Sequence, residues 1–274
     1  MTQPHDHDGG LTADLKAILA RRSVLAGLGV MGAGIAVYAV LGTRGEATVT
    51  GQGPDGAICV ADPVETNGPF PADGTNAKDG QTVNVLTESG VVRQDIRPSF
   101  AGQTPVAEGV AMDMVIRLVS VSGACAPLAG HAVYVWQCDA AGQYSIYNAA
   151  DRNYLRGVGI TDATGEVRFT SIVPACYDGR WPHVHFEVFA SAEAAVSGDD
   201  SLLISQFALP QDMVAAVYAS DARYAGSVEN LADVSLAGDM VFGDNTPEQI
   251  AVQTLTVTGD PAAGYVASGL IGIL

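Results

Sequence analysis

Positive charge is what this chain lacks. Thirteen lysines and arginines stand against thirty aspartates and glutamates, a formal charge of −17 over 274 residues. Nucleic-acid binding needs a basic face to meet phosphate, so nucleic acid is excluded as a partner. Attraction to anionic lipid has no obvious source either, and the excess carboxylate reads as an acidic, solvated surface. Aromatic residues make up only 7%, with five histidines and four cysteines, so the few places where these gather carry most of the information.

One long uncharged and mostly apolar run exists, the 19 residues from Ser23 to Leu41. It follows a polar, irregular stretch, "MTQPHDHDGGLTADLKAILA", whose His5 and His7 belong to a tail, and it is preceded directly by Arg21-Arg22. Paired arginines before such a run are the form of a twin-arginine export signal. An uncleaved membrane anchor through 23–41 is the alternative, since the run is long enough to span. No A-x-A site follows; Gly45-Glu46-Ala47 is the nearest small-x-small match. The expected organisation is a tail with signal or anchor over 1–47 and one folded domain over 48–274. The protein is then periplasmic, extracellular or membrane-anchored.

Export puts the four cysteines in an oxidising compartment, where an even count suggests disulfides. Cys125 and Cys138 end the segment "CAPLAGHAVYVWQC", in which Pro127 to Gly130 reads as a turn between two strands. The expected pairing is therefore Cys125 with Cys138 across a hairpin, leaving Cys59 with Cys176. Four cysteines allow three connectivities, and nothing in the sequence separates them.

Past Cys59 the chain has no repeats. "VETNGPFPADGTNAKDG" is rich in Gly, Pro and Asn and reads as an irregular arm. Strand-like stretches follow at Met112–Val121, His131–Cys138, Glu166–Ile172, His183–Phe189, Leu202–Phe207 and Val252–Val257. In "HAVYVWQC" both alternating sets are apolar, as in a strand buried on both faces. One stretch is convincingly helical, Gln211–Ala219 after Pro210. Short strands with little helix predict an all-β fold, a β-sandwich with an irregular N-terminal arm and one or two short helices.

Two of the five histidines sit one residue apart in "GRWPHVHFEV". In a strand His183 and His185 share one face while Val184, Phe186 and Val188 take the other. That suits a metal, although a solvated pair on a sheet face would look the same. Tyr177 lies in the loop leading into this strand, and Tyr144 in an Asp/Gly-containing turn after another. Two phenols and two imidazoles form a mixed set suited to a hard ion such as Fe(III), whereas softer metals would prefer the cysteines.

The segments "ETNGPFPADG", "VRQDIRPSF", "CAPLAGHAVYVWQCDAAGQYSIY" and "NYLRGVGITDATGEVRFTSIVPACYDGRWPHVHFEV" resemble the intradiol ring-cleavage dioxygenases, most of all their exported, protocatechuate-dioxygenase-like branch. The resemblance runs from about Glu65 to the C-terminus, including "DMVFGDNTPEQIAVQTLTVTGD" and "GYVASGLIGIL". It implies Fe(III) as cofactor, held by Tyr144, Tyr177, His183 and His185. It also implies a catalytic Arg180 that stabilises negative charge on the substrate, where the plainer reading is a salt bridge to a nearby acid. Tyr177 is implied to leave the metal as substrate binds, taking up a proton. The implied partners are a small aromatic diol and O2, and the implied product is a muconate-type diacid. Phe70 stands where related sequences often carry Tyr, and no long helical segment like the dimerisation region of the catechol-type enzymes is present. His131 matches no ligand position and reads as a strand-edge residue.

Arg93, Arg97, Arg152 and Arg156 are candidates to meet a ring carboxylate, but the acidic balance favours a neutral catechol or a lignin-derived phenol. Two rival readings are a metal-binding β-sandwich module without turnover, and a structural or transport protein whose histidines hold zinc or copper. For the export signal, replacing Arg21 and Arg22 by Lys is expected to leave the protein in the cytoplasm. Cell fractionation that finds the double variant exported normally refutes the signal.

Overall fold

The computed structural model describes residues 48–197 and 201–274. The tail, the paired arginines and the apolar run (1–47) lie outside the described residues. Among those described, no helix is long and apolar enough to cross a membrane.

The chain forms β1 (Thr50–Gln52), β2 (Ile58–Val60), β3 (Asp73–Lys78), β4 (Gln81–Asn84), β5 (Ala111–Ser120), β6 (Ala126–Pro127), β7 (Ala132–Trp136), β8 (Arg156–Ile160), β9 (Glu166–Ile172), β10 (His183–Phe189), β11 (Leu203–Ala208), β12 (Thr256–Asp260) and β13 (Gly264–Ile273). A four-stranded sheet runs β11-β10-β7-β8, and a five-stranded one runs β12-β13-β5-β6 with β9 also on β5. All pairs are antiparallel except β13 with β5. This is the β-sandwich that the sequence leads one to expect.

Alternation explains the larger sheet. In β5, Met112, Met114, Ile116 and Leu118 are buried while Asp113 and Arg117 are exposed, so one face meets the core. The four-stranded sheet differs, because every residue of β7, β10 and β11 is buried. Val133 and Val135 of β7, Val184, Phe186 and Val188 of β10, and Phe207 of β11 supply its inner face and join the common core. Phe186 and Phe207 meet with ring centroids 4.5 Å apart, a contact that adds about 0.5–1.5 kcal/mol to simple burial. At the edge, Gly159 of β8 lets β9 come close: a Cβ there would fall 2.3 Å from Val167 Cγ2.

The outer face of the four-stranded sheet is covered by irregular chain. The arm after β2 is pinned by backbone, with Asp62 N–H donating to Gly272 O (3.0 Å) and Glu65 N–H to Ile204 O (2.8 Å). Burial pushes the Asp62 carboxyl up to about 8, and its Oδ2 accepts from Gly272 N–H at 2.8 Å. The arm then carries Phe70 and Pro71 across the sheet before the β3–β4 hairpin.

Two expectations are corrected. The stretch Val252–Val257 is not one strand: helix Pro247–Gln253 occupies its start, and β12 begins only at Thr256. The helix wins because Thr246 and Gln249 form a capping box with Pro247 in the first turn, a signature stronger than the local β-branched content. The helix expected near 211–219 is present as Gln211–Ser220, and the short helices Ala192–Ser197 and Ala225–Asp233 accompany it. The cysteine pairing also differs. The disulfide joins Cys59 to Cys125, while Cys138 and Cys176 are buried free thiols. Residues 126–127 pair with β5 in one sheet, whereas Cys138 follows β7 in the other, so no hairpin brings Cys125 to Cys138. Burial pushes the Cys176 thiol up to about 12 and the Cys138 thiol higher still, which keeps both protonated and unreactive.

The bridge closes a loop with a sequence separation of 66 residues, for which the chain-entropy model gives about 4 kcal/mol. Reduction, or Cys125→Ser, is expected to lower the unfolding free energy by about that amount in urea titrations. Thiol labelling of the oxidised protein should find two reactive groups, and only after denaturation.

Candidate metal centre

Directly opposed residues in an antiparallel ladder project to the same face. The register sets Arg156 of β8 opposite Trp136 of β7, Trp136 opposite His185 of β10, and His185 opposite Gln206 of β11. One polar and aromatic row thus crosses the outer face, with His183 one step along β10 on the same side. Two loops complete the surroundings. Tyr144 belongs to a tight turn after β7, closed by Tyr144 N–H to Asn148 Oδ1 (3.2 Å) and Asn148 N–H to Tyr144 O (3.0 Å). Within that turn Ile146 holds φ at 74°, a strained value for a β-branched residue. Tyr177 lies in the irregular segment between β9 and β10, and alone of the expected ligands it is only partly buried.

These four side chains converge. His183 Nε2 lies 3.3 Å from Tyr144 Oη, 3.2 Å from Tyr177 Oη and 3.1 Å from His185 Nε2. His183 Nδ1 is 2.6 Å from Trp181 O, which fixes the proton on that nitrogen and leaves Nε2 with its lone pair. The His185 ring stacks on Trp136, centroids 4.8 Å apart and planes at 6°.

Burial, and then the Arg180 charge, pushes His183 down to about 3. Burial, then His183 and the two buried arginines, holds His185 well below its usual range. Both imidazoles are therefore neutral near pH 7 and can act as ligands. One lone pair on His183 Nε2 faces three polar atoms, which is more than hydrogen bonding alone can satisfy. Donors about 2.1 Å from one ion lie about 3.0–3.4 Å apart along the edges of its coordination polyhedron, and the observed spacings are of this size. The residues fit an ion. Among the described residues no group of three or more His, Cys, Asp or Glu could hold one, so a cation here needs phenolic oxygen.

Arg180, expected as the catalytic cation, is fully buried near His183. Its Nε donates to Asp239 Oδ2 at 2.9 Å and its Nη2 to Gln206 Oε1 at 2.7 Å, and both ion-pair side chains are 0% exposed. Burial pushes Asp239 up, but the Arg180 charge and the hydrogen bonds from Arg180, Trp181 and Val241 outweigh it and hold the carboxyl below its usual range. Asp239 and Gln206 are functional neighbours that sequence reasoning missed. Gln206 is marked as the one amide in the mostly apolar strand "LISQFA"; Asp239, in a loop 59 residues beyond Arg180, carries no local signal. His131, read as a strand-edge residue, sits just before β7 with its Nδ1 3.2 Å from Ala129 O, apart from the cluster.

Residues 90–223 match the family model described as Dioxygenase. Among solved structures, the intradiol ring-cleavage dioxygenase from Tetranychus urticae is 20% identical, covering 78% of this chain and 94% of that one at a TM-score of 0.56. The dioxygenase Tetur07g02040 is 19% identical, covering 78% and 94% at 0.57. The dioxygenase domain of a carbohydrate-binding fusion from Streptomyces sp. SirexAA-E is 20% identical, covering 78% and 97% at 0.47. No curated protein matches the chain. At these identities the structural likeness is one of fold.

Removing one partner of a buried ion pair leaves the other charge without compensation. Asp239→Ala is expected to lower the unfolding free energy by about 3–5 kcal/mol, measured by urea denaturation. A loss below about 1 kcal/mol, the range of exposed pairs, would contradict the burial described.

Proposed function

We propose that the chain is an intradiol ring-cleaving dioxygenase that cleaves a catechol-type ring between its two hydroxyl-bearing carbons, a reading supported by the family model over residues 90–223 and by the shared fold. Both atoms of O2 enter the product, a muconate-type diacid. The observation that carries this reading is the convergence of Tyr144, Tyr177 and His185 on His183 Nε2 within 3.3 Å. A ferric ion is the cation that this donor set suits, since phenolate is a hard, anionic ligand. When bound, it would supply the Lewis acidity that draws in both catechol oxygens and makes the ring reactive toward O2.

The remaining work falls to the chain. His183 and His185 are neutral ligands on a rigid strand, their rings oriented by Trp181 O and by Trp136. Tyr144 is buried and holds its position. Tyr177 is the half-buried member, and its Oη is the atom suited to take a proton from an entering hydroxyl. Arg180, its guanidinium oriented by Asp239 and Gln206, faces the histidines with a fixed dipole that favours negative charge on the substrate. The covered outer face excludes water from the reacting ring.

The protein works outside the cytoplasm on this reading, with 48–274 as the functional unit. The Cys59–Cys125 disulfide supports that location.

The test is oxygen uptake by iron-loaded protein with a panel of catechols, repeated with Tyr177→Phe. Uptake is expected with neutral catechols, with a reddish colour from phenolate-to-iron charge transfer. The variant should be slower by about a hundredfold or more. No uptake with any diol, or wild-type rates in the variant, sinks the mechanism; colourless protein that retains zinc instead favours a binding module.

A further inference from the structure

Arg156 is the second buried guanidinium of the site, and the charge partner that Arg180 has in Asp239 is replaced here by neutral oxygen. The side chain is 0% exposed. Its Nε donates to Ser145 Oγ (3.0 Å), its Nη2 to Ser145 O (3.1 Å), and its Nη1 to Phe70 O (2.7 Å), Pro71 O (3.1 Å) and Tyr134 Oη (3.4 Å). Among the described residues no carboxylate lies within salt-bridge distance of it. A cation buried without an anion is costly, and it persists where several well-aimed dipoles replace water.

What those dipoles belong to is informative. Ser145 follows Tyr144 directly in the strained turn, and Phe70 and Pro71 belong to the arm. The Phe70 ring lies 4.9 Å from the Tyr144 ring and 5.0 Å from Tyr147. The same two segments are joined again by Ala72 N–H to Tyr147 Oη (2.9 Å), and the end of β3 adds Lys78 Nζ to Ile146 O (2.5 Å). Arg156 itself is anchored at the start of β8, in the row that holds His185 two strands away, at about 10 Å by the usual strand spacing. It therefore ties arm, Tyr144 turn and histidine sheet together through one guanidinium.

We propose that Arg156 is a positioning residue that clamps the arm and the Tyr144 turn onto the outer face of the sheet, so setting both the aim of the Tyr144 phenol and the Phe70 wall beside it. The consequence for catalysis rests on the functional reading above; the clamp itself does not. A planar guanidinium is needed, because one group must serve acceptors on two segments in a fixed fork. A lysine ammonium at the same place reaches fewer of them.

The test has two arms. In metal-free protein, amide hydrogen exchange of Arg156→Gln should accelerate about tenfold or more at Ala72, Tyr144 and Asn148, with β10 and β11 unchanged. In iron-loaded protein, the phenolate charge-transfer band should shift and unsubstituted catechol should bind about tenfold more weakly. Arg156→Lys should restore neither. Exchange that is unaltered at those amides, or faster uniformly through the sheet, overturns the clamp. So does full rescue by lysine, which would make the role one of charge. If Arg156→Gln does not fold, Ser145→Ala removes one acceptor; a smaller change at the same amides supports the clamp, and none overturns it. Wild-type protein that binds neither iron nor catechol defeats the functional reading, while the exchange arm still decides this one.

Discussion

The two-sided burial of β10 is the constraint on which the rest of the structure depends. Its inner face must place Val184, Phe186 and Val188 in the core shared with the five-stranded sheet. The period of two then sends His183 and His185 to the outer face, where water would normally solvate them. Water is excluded because the arm, the Tyr144 turn and the Tyr177 segment lie over that face, leaving both histidines 2% exposed. Desolvation keeps the imidazoles neutral, which spares them mutual repulsion as cations and leaves each with a lone pair that a metal could use. The covering segments are irregular because they must bring phenols down onto a flat sheet, a task that straight strands cannot perform.

Such a cover creates an electrostatic problem, which the chain meets in two ways. Arg180 is neutralised by Asp239, whose carboxylate also accepts from the backbone of Trp181 and Val241. The pair thereby locks the approach to β10 while it orients the guanidinium. Arg156 instead takes backbone carbonyls from two irregular segments, the arm and the Tyr144 turn. A salt bridge would fix one partner; a fork among carbonyls fixes several. That difference suits a residue whose surroundings are loops.

The sheet faces and the ligand-bearing strand were readable from local pattern. The strand His183–Phe189 has the bounds expected, and β7 is buried on both faces as its two apolar sets require. Tyr144 and Tyr177 could be nominated because turn residues surround them and a family resemblance supplied the set. Their convergence on His183 Nε2 is tertiary and had no trace in spacing. The disulfide differs for the same reason: Cys125 and Cys138 are near in sequence but adjoin strands of different sheets, whereas Cys59 of β2 packs with Val119 and Val121 at the end of β5, where it meets Cys125. Asp239 was invisible because an isolated aspartate in a Gly-containing loop looks like any surface acid. Arg156 was visible only as a cation; nothing local distinguishes an arginine that binds ligand from one that binds its own backbone.

That last distinction bears on what the site recognises. Of the four arginines named as candidates to meet a ring carboxylate, Arg156 is committed to carbonyls. Arg93 donates to Arg156 O and Pro98 O, Arg97 pairs with Asp95, and Arg152 pairs with Asp151. Freeing any of them would break a hydrogen bond or an ion pair already made, so a carboxylated ring would have to repay that loss. A ring with only its two hydroxyls has no such demand. On the proposed reading its oxygens would meet the Tyr144, Tyr177, His183 and His185 cluster, and its apolar edge would lie near Phe70, whose ring is 4.9 Å from that of Tyr144 and offers no hydroxyl to a polar substituent. On the proposed reading, discrimination therefore works through exclusion: a polar ring substituent loses water and finds no partner in return. The arm that carries Phe70 is held by Arg156, so the same clamp that aims Tyr144 also keeps this selective surface in place.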